Sequence, residues 1–295
     1  MKIHSFLGTL LLLIFSVAYA ETNTDLADYS IPANAVKMGP INTRDPDQQF
    51  FNFFAADSPL SEKTLLGRET YYKGKLIKLD LFKDGMPHGV WKEWHQNGQL
   101  ASEAPYKMGN KDGLFRHWSE SGKLIGQYWI LKGNGIKRIY NESGELVREQ
   151  VIEHNRPNGL SMEYYADNGQ RSIVWMKNGD VVRIGFGFYD TGSVMEMYCY
   201  SNNGDPDGPA LEFSPVGSVN MKSWYINGKE VTETAYAAAA AHDPSLPAYH
   251  ADVREYKQLI SAEVSALLEK YRTMPRVKIP LEFDKNENPV PVAAP

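Results

Sequence analysis

Short runs of strand-forming residues alternate with polar, glycine-containing turns through the middle of the chain. The stretch 84–100 shows the pattern, with Trp91 and Trp94 between Gly89 and the pair Asn97-Gly98. Asn-Gly between strand formers is a strong hairpin signal, because both turn residues must adopt a positive φ. The turn glycines then recur every 22 to 25 residues, at positions 98, 122, 144, 169, 192 and 217. A fixed period of this length indicates a repeat architecture.

This pattern predicts a mainly β fold: an elongated antiparallel meander of stacked β-hairpins over residues 65–229, with a C-terminal α-helical cap. Neighbouring hairpins would stack and bury one continuous face, so that stability is roughly a sum over neighbours. The stretch Gly185-Phe186-Gly187-Phe188 is interpreted as a further repeat turn, because the third glycine and the strand-to-helix context of a nucleotide loop are missing.

Side chains of a strand alternate between two faces, and the two faces of these hairpins differ in composition. One face is predicted to be a buried ladder of apolar and aromatic side chains. The members of that ladder are Val90, Trp94, Leu114, Trp118, Ile136, Tyr140, Leu160 and Tyr164.

The opposite face mixes aromatic and charged residues, as protein-binding surfaces do. A half-solvated sheet face would have the same composition, so both interpretations stay open. The candidate partner-binding residues on and beside this face are Trp91, Glu93, His95, Phe115, His117, Glu163, Tyr165 and Glu212.

The segments on both sides of the repeat depart from its pattern. Residues 21–64, with an aromatic run at 50–54, are predicted to cap the open end of the array, with a docking segment as the alternative. Residues 230–275 are predicted to be helical, because they contain an alanine-rich stretch and then apolar residues at three- and four-residue steps. This helical region is expected to pack on the array, with partner binding as the alternative. Residues 276–295 are rich in proline and alanine and are predicted to be a disordered tail.

The chain begins like a secretory protein. Residues 1–20 combine a basic start, an apolar stretch and an Ala-Tyr-Ala site, which predicts a cleaved signal peptide and a periplasmic protein. An uncleaved anchor is the alternative. No other stretch approaches the ~20 apolar residues of a membrane helix, so no stable membrane insertion is expected.

Composition and motifs argue against several classes of function. The formal net charge of −5 and the lack of a basic patch argue against nucleic acid as a partner. Cys199 is the single cysteine, so an intramolecular disulfide is impossible, and we expect a buried structural thiol. His95 and His117 occupy nearly equivalent repeat positions, but a metal would need further ligands. No catalytic motif is present, so we expect no enzyme activity, no metal and no cofactor.

The residues of the repeat resemble a known family. Lys83-Asp84-Gly85 with Gly89, followed by Trp94 and residues 97–100, resembles the MORN-repeat variant of bacterial proteins. Residues 111–124 match the pattern again, and residues 158–169 match it in weaker form. The resemblance covers about 67–229, and residues 185–204 depart from it.

The resemblance also implies a function. Many bacterial members are similar to antitoxins or immunity proteins, which with a secretory signal implies a periplasmic immunity protein. Such a protein would bind a cognate secreted toxin and neutralise it sterically, and the toxin would be a type VI secretion lipase or phospholipase. The alternative is a structural or scaffolding protein of the bacterial envelope. A third interpretation, a hydrolase or sugar-binding module, rests on the aromatic content alone. The oligomeric state stays open.

Overall fold

The computed structural model of the chain describes residues 26–56, 64–166, 169–251, 281–283 and 289–291. It divides into two compact units, Met1–Tyr249 and His250–Pro295. The predicted signal peptide lies outside the described residues. Within the described residues, no helix has the length and apolar character needed to cross a membrane.

The first unit contains one antiparallel sheet of 19 strands, in which each hairpin is followed directly by the next. The prediction of a mainly β meander is therefore confirmed. The strands are β1 (Val36–Asn42), β2 (Gln48–Phe54), β3 (Leu65–Tyr72), β4 (Lys75–Lys83), β5 (Met86–Pro87), β6 (Gly89–Trp94), β7 (Leu100–Lys107), β8 (Asn110–Lys111), β9 (Gly113–Trp118), β10 (Leu124–Leu131), β11 (Asn134–Tyr140), β12 (Leu146–Glu153), β13 (Arg156–Tyr164), β14 (Gln170–Lys177), β15 (Asp180–Phe188), β16 (Val194–Tyr200), β17 (Pro206–Phe213), β18 (Val219–Ile226) and β19 (Lys229–Val231). β5 and β6 both pair with β4, so together they form one strand with a short break between them. β8 and β9 both pair with β7 in the same way.

Two kinds of turn alternate along the meander, which explains the glycine spacing. At one end of the strands most turns have two residues, both with positive φ, as in Lys132-Gly133 with φ of 48° and 79°. An exception there is the five-residue loop 201–205 between β16 and β17. At the other end lie five-residue loops such as 95–99, in which the His95 N–H donates to Gln99 O at 2.9 Å and the Gly98 N–H donates to His95 O at 2.9 Å. Only the glycine of such a loop needs a positive φ, so its glycine marks one repeat.

The N-terminal segment adds two strands to the sheet. β2 contains the aromatic run and pairs with β3 along its whole length, and β1 pairs with β2. The chain before β1 crosses the first hairpins: the Tyr29 hydroxyl donates to Phe82 O at 2.7 Å. Ile31 lies over Gly67, where a Cβ would come within 2.4 Å of its side chain.

The predicted ladder is only partly right. Ile136 and Leu160 are buried at 9% and 4% exposure, but Trp94 and Trp118 are half-buried. In the first repeats the contacting rings lie instead on the face of Phe115, which is 5% exposed. The reason is that the second strands β4, β7 and β10 add Phe82, Tyr106 and Tyr128 to that face.

Gly185 and Gly187 lie inside strand β15, so their interpretation as a turn was wrong. A Cβ at Gly187 would lie 2.6 Å from the Glu196 side chain, and one at Gly185 would lie 3.5 Å from the Tyr200 ring. The glycines therefore leave room for side chains of β16 to lie across β15. Phe186, between them, is 2% exposed.

A short helix, α1 (Glu233–Ala240), follows β19. The Thr232 side chain accepts the Ala235 N–H at 3.2 Å and caps its first turn. Tyr236 is fully buried, stacks on Trp224 with 5.1 Å between ring centroids, and donates its hydroxyl to Pro247 O at 2.6 Å. Residues 241–251 of the predicted helical region are described and are not helical, and residues 252–275 lie outside the described residues.

In the second unit, two short strands pair antiparallel within the predicted tail. They are β20 (Leu281–Phe283) and β21 (Pro289–Pro291).

Candidate functional site

A row of contacting aromatic rings crosses strands β4 to β10. We call Phe82, Trp91, Tyr106, Phe115 and Tyr128 the aromatic row. Successive ring centroids lie 5.4, 4.5, 6.4 and 5.1 Å apart, and the last pair is stacked with 8° between planes. Stacked and edge-to-face contacts of this kind add to the stabilisation that burial alone provides.

Register explains why the rings meet. Trp91 lies opposite Ala104, a small residue that leaves room for the indole, and Phe115 lies opposite Tyr128. The Trp91 indole is fixed at its polar end, because Nε1 donates to Leu81 O at 2.7 Å. The row is therefore a rigid platform rather than a set of mobile side chains.

A pocket of about 210 Å³ opens over this platform, and we call it the inner pocket. Its polar side chains come from strands that the row crosses and from β11, and its walls also include Ile130 and Ile152. The polar and charged lining residues are Lys78, Glu93, Ser102, Glu103, Lys111, His117 and Lys137.

Positive charge in the inner pocket is close enough to perturb titration. Burial, and after it the Lys137 ammonium, lower the pKa of His117, while Glu93 opposes the shift. Burial and Lys137 also lower the pKa of Lys111. Burial raises the pKa of Tyr106, and Asp80 and Glu93 add to that shift. The His117 imidazole lies beside Tyr128, with 5.7 Å between ring centroids.

A wider depression of about 930 Å³, which we call the rim cleft, lies beside the five-residue loops. Its lining includes Tyr72, Lys78, Glu93, Asn97 and Glu120. The loops here are bonded to one another across repeats, since the Asn97 side chain donates to Glu120 O at 2.6 Å. The inner pocket and the rim cleft share Lys78 and Glu93.

Four of the eight predicted residues line the inner pocket: Trp91, Glu93, Phe115 and His117. Phe115 is 5% exposed, so it forms part of the buried floor and offers little surface to a partner. His95 lines the rim cleft, where its Nε2 lies 2.8 Å from Trp118 O. That contact ties one loop to the next repeat.

The other three predicted residues lie on later repeats and line neither depression. Glu163 pairs with Arg148. Tyr165 donates its hydroxyl to Phe188 O at 2.8 Å, a loop-to-strand contact like that of His95. Glu212 accepts the Tyr198 hydroxyl at 3.1 Å. The structure therefore does not bring all eight residues together.

Sequence reasoning missed several pocket residues. Tyr106 and Tyr128 come from second strands, and Lys78 comes from the degenerate first copy. Tyr106 lies opposite Gly89 across the loop 95–99, so pairing the two strands on either side of that loop could have found it. Lys78 carries no such signal in the sequence.

One hairpin of the array matches a known family. Residues 87–108 match the family described as MORN repeat variant. The segment contains β6, the Asn97-Gly98 turn and β7, and thus Trp91 and Tyr106 of the aromatic row. The resemblance to a MORN repeat is confirmed for these residues. No curated protein matches the chain at a significant level.

Proposed function

We propose that this chain is a protein-binding scaffold that acts as a periplasmic immunity protein. It binds a cognate secreted toxin, of the type VI secretion lipase or phospholipase class, and covers the toxin's active site. It is a binding protein rather than an enzyme, and its partner is a protein rather than a nucleic acid or a membrane. The secretory pattern of residues 1–20 supports the compartment.

The inner pocket and the adjoining rim cleft carry the proposal. Anchored aromatic side chains beside a charged rim are the composition that binding hot spots favour. The platform is pre-organised, because its rings contact one another and Trp91 is bonded to the backbone of β4. A surface that does not reorganise loses less entropy on binding.

Co-purification tests the proposal. The chain from Glu21 is produced with the product of the adjacent gene, and complex formation and protection from toxicity in the periplasm are measured. We expect a stable complex and full protection. The substitution Glu93→Lys, at an exposed side chain shared by both depressions, should weaken binding at least tenfold and reduce protection.

A matched control separates binding from folding. Glu230→Lys makes the same charge change at an exposed position on β19, and it should leave affinity and protection unchanged. Both variants should keep the melting temperature of the parent. Absence of any complex and of any protection would refute the proposal.

An envelope scaffold is the second candidate, and one observation favours it. Among the described strands, β1 pairs only with β2, and all seven of its residues are exposed. A scaffold predicts that deletion alters envelope shape or integrity in cells that meet no toxin. Normal growth alone, with sensitivity only to a competitor, would contradict it.

A further inference from the structure

We infer that the inner pocket holds the carboxylate of a single acidic side chain from the partner protein, between Lys111, Lys137 and His117. This rests on the proposed function for the nature of the partner, but the pocket chemistry can be tested without that partner. The three residues come from β8, β9 and β11 and line one pocket.

The first argument is the balance of charge. Glu93 is paired with Lys78 at 3.8 Å, and Glu103 is paired with Arg116 at 3.1 Å and with Lys92 at 3.6 Å. Both acidic residues of the lining therefore have basic partners. Among the ion pairs of the described residues, none involves Lys111 or Lys137. The pocket is thus left with two cationic side chains and no carboxylate to balance them.

The second argument is an unused donor or acceptor. Nε2 of His117 is buried and has no hydrogen-bond partner among the described residues. A buried polar atom without a partner is costly, and native structures usually supply one. A carboxylate oxygen accepts from Nε2 when that nitrogen carries a proton, so an acidic side chain would satisfy the atom.

The third argument is size. A volume of about 210 Å³ lies below the roughly 300–1,000 Å³ typical of pockets for drug-sized ligands. It suits one side chain that enters from a protein surface. The aromatic floor would pack against the methylene groups of that side chain while the cations meet its carboxylate.

The pH dependence of carboxylate binding in the inner pocket follows from the groups that face His117. These groups are Lys78, Glu93, Tyr106, Lys111, Tyr128 and Lys137. As pH falls through the lowered pKa of His117, the ring gains a proton and adds a third positive charge, so carboxylate binding tightens. By linkage, a bound carboxylate raises the pKa of His117.

The test uses N-acetyl-glutamate amide as probe and N-acetyl-glutamine amide, its neutral isostere, as control. The titration of the His117 imidazole is followed by NMR on the chain from Glu21. We expect the glutamate probe alone to raise the pKa of His117, with tighter binding at pH 5 than at pH 7. Lys137→Gln and Lys111→Gln should each weaken this binding at least tenfold.

Lys222→Gln, at an exposed lysine on β18, is the matched control and should change nothing. Since Lys111 Nζ also donates to Asn155 O at 3.3 Å, Lys137→Gln decides the outcome if the Lys111 variant is unstable. Equal effects of the two probes, or an undiminished effect in Lys137→Gln, would overturn the inference. So would binding of inorganic phosphate in place of the carboxylate probe, which would assign the pocket to a phosphate group.

The two proposals can fail separately. If the probe binds as expected but no toxin is captured, the carboxylate pocket stands and the immunity function falls. If a toxin is captured with equal affinity by the parent chain and Lys137→Gln, the pocket inference falls and the immunity function stands.

Discussion

At the scale of single residues, Gly74 and Gly133 show two reasons for glycine in a turn: a positive φ, and close packing against a neighbouring turn. Their φ angles are nearly equal, +76° and +79°, and both follow a lysine with positive φ. Their surroundings differ. A Cβ at Gly74 would have no atom within 4 Å, whereas one at Gly133 would lie 2.8 Å from Asn155 Oδ1 and 3.0 Å from Asn155 N.

We therefore expect Gly74→Ala and Gly133→Ala to differ in cost. Gly74→Ala should lower the free energy of unfolding by about 1 kcal/mol, because only the left-handed backbone is strained. Gly133→Ala should cost at least about 2 kcal/mol, because it also forces two turns apart. Urea denaturation measures both values. Equal costs would mean that the turns do not pack as closely as the structure shows.

Glu196 is the residue whose titration should affect stability in a defined direction. Burial raises the pKa of its carboxyl group, and the neighbouring Glu212 raises it further. The folded state then holds the proton more tightly than the unfolded state. The associated stability is present at low pH and is lost as pH rises through the raised pKa.

Glu196→Gln removes this dependence. The variant should gain stability relative to the parent as pH rises from 4 to 7, as judged from melting temperatures. Glu230→Gln, at an exposed position on β19, should show no such trend. A difference between parent and Glu196→Gln that stays constant across this range would contradict the argument.

At the scale of elements, the two-residue turns form a ladder that joins the repeats. In five of these turns the second residue donates its N–H to a carbonyl of the preceding hairpin, as Gly133 does to Lys111 O at 2.8 Å and Asn155 to Gly133 O at 2.9 Å. Side chains add further hydrogen bonds between neighbouring turns, since Asp112 accepts the Lys132 N–H at 3.1 Å. The turns therefore link hairpins, in addition to closing them.

Asn155 offers a test of the ladder, because its side chain reaches back two turns. Its Oδ1 accepts the Lys111 N–H at 2.8 Å, and its Nδ2 donates to Asn110 Oδ1 at 3.0 Å. Asn155→Gly keeps the positive φ and removes both bonds, so we expect a loss of about 1–2 kcal/mol in the free energy of unfolding. Asn178→Gly, at an exposed turn residue with φ of 53°, is the control and should cost clearly less. Similar losses in the two variants would show that the side-chain hydrogen bonds of Asn155 add nothing to stability.

The period of the hairpins could be predicted from the sequence, because positive φ at a turn restricts the residue type and glycine marks it directly. Strand pairing across hairpins has no comparable signal. The Trp91 ring on β6 contacts Tyr106 because β7 is the neighbouring strand, and the Phe115 ring on β9 contacts Tyr128 because β10 is its neighbour. Glu163 and Glu212 share the composition of the candidate surface but lie outside both depressions, since composition does not specify distance along the sheet.

At the scale of the whole first unit, the two ends of the sheet are protected differently. The C-terminal end finishes with a strand of three residues, and α1 covers the preceding strand through Tyr236 on Trp224. The N-terminal end finishes with β1, seven residues long and exposed throughout. Short or covered edges resist pairing with other chains, and long exposed ones favour it.

Self-association through β1 should therefore be detectable at high protein concentration. Val36 and Ile41 expose 37% and 40% of their surface beside the open edge. The association should be weak, because Pro40 has no N–H to donate and the register shifts between Met38 and Ile41. We expect sedimentation velocity to show concentration-dependent association of the parent, and Ile41→Lys to reduce it without a change in melting temperature. A charged side chain at an edge opposes pairing with another strand.

Val216→Lys provides the control for this experiment. Val216 is 90% exposed, so the substitution removes a more exposed apolar side chain from the same molecule. It lies in the loop between β17 and β18, away from any strand edge, and should leave the association unchanged. If both variants lose it equally, general surface hydrophobicity drives the contact. If neither does, the association does not run through β1, and the scaffold function loses the observation that favours it.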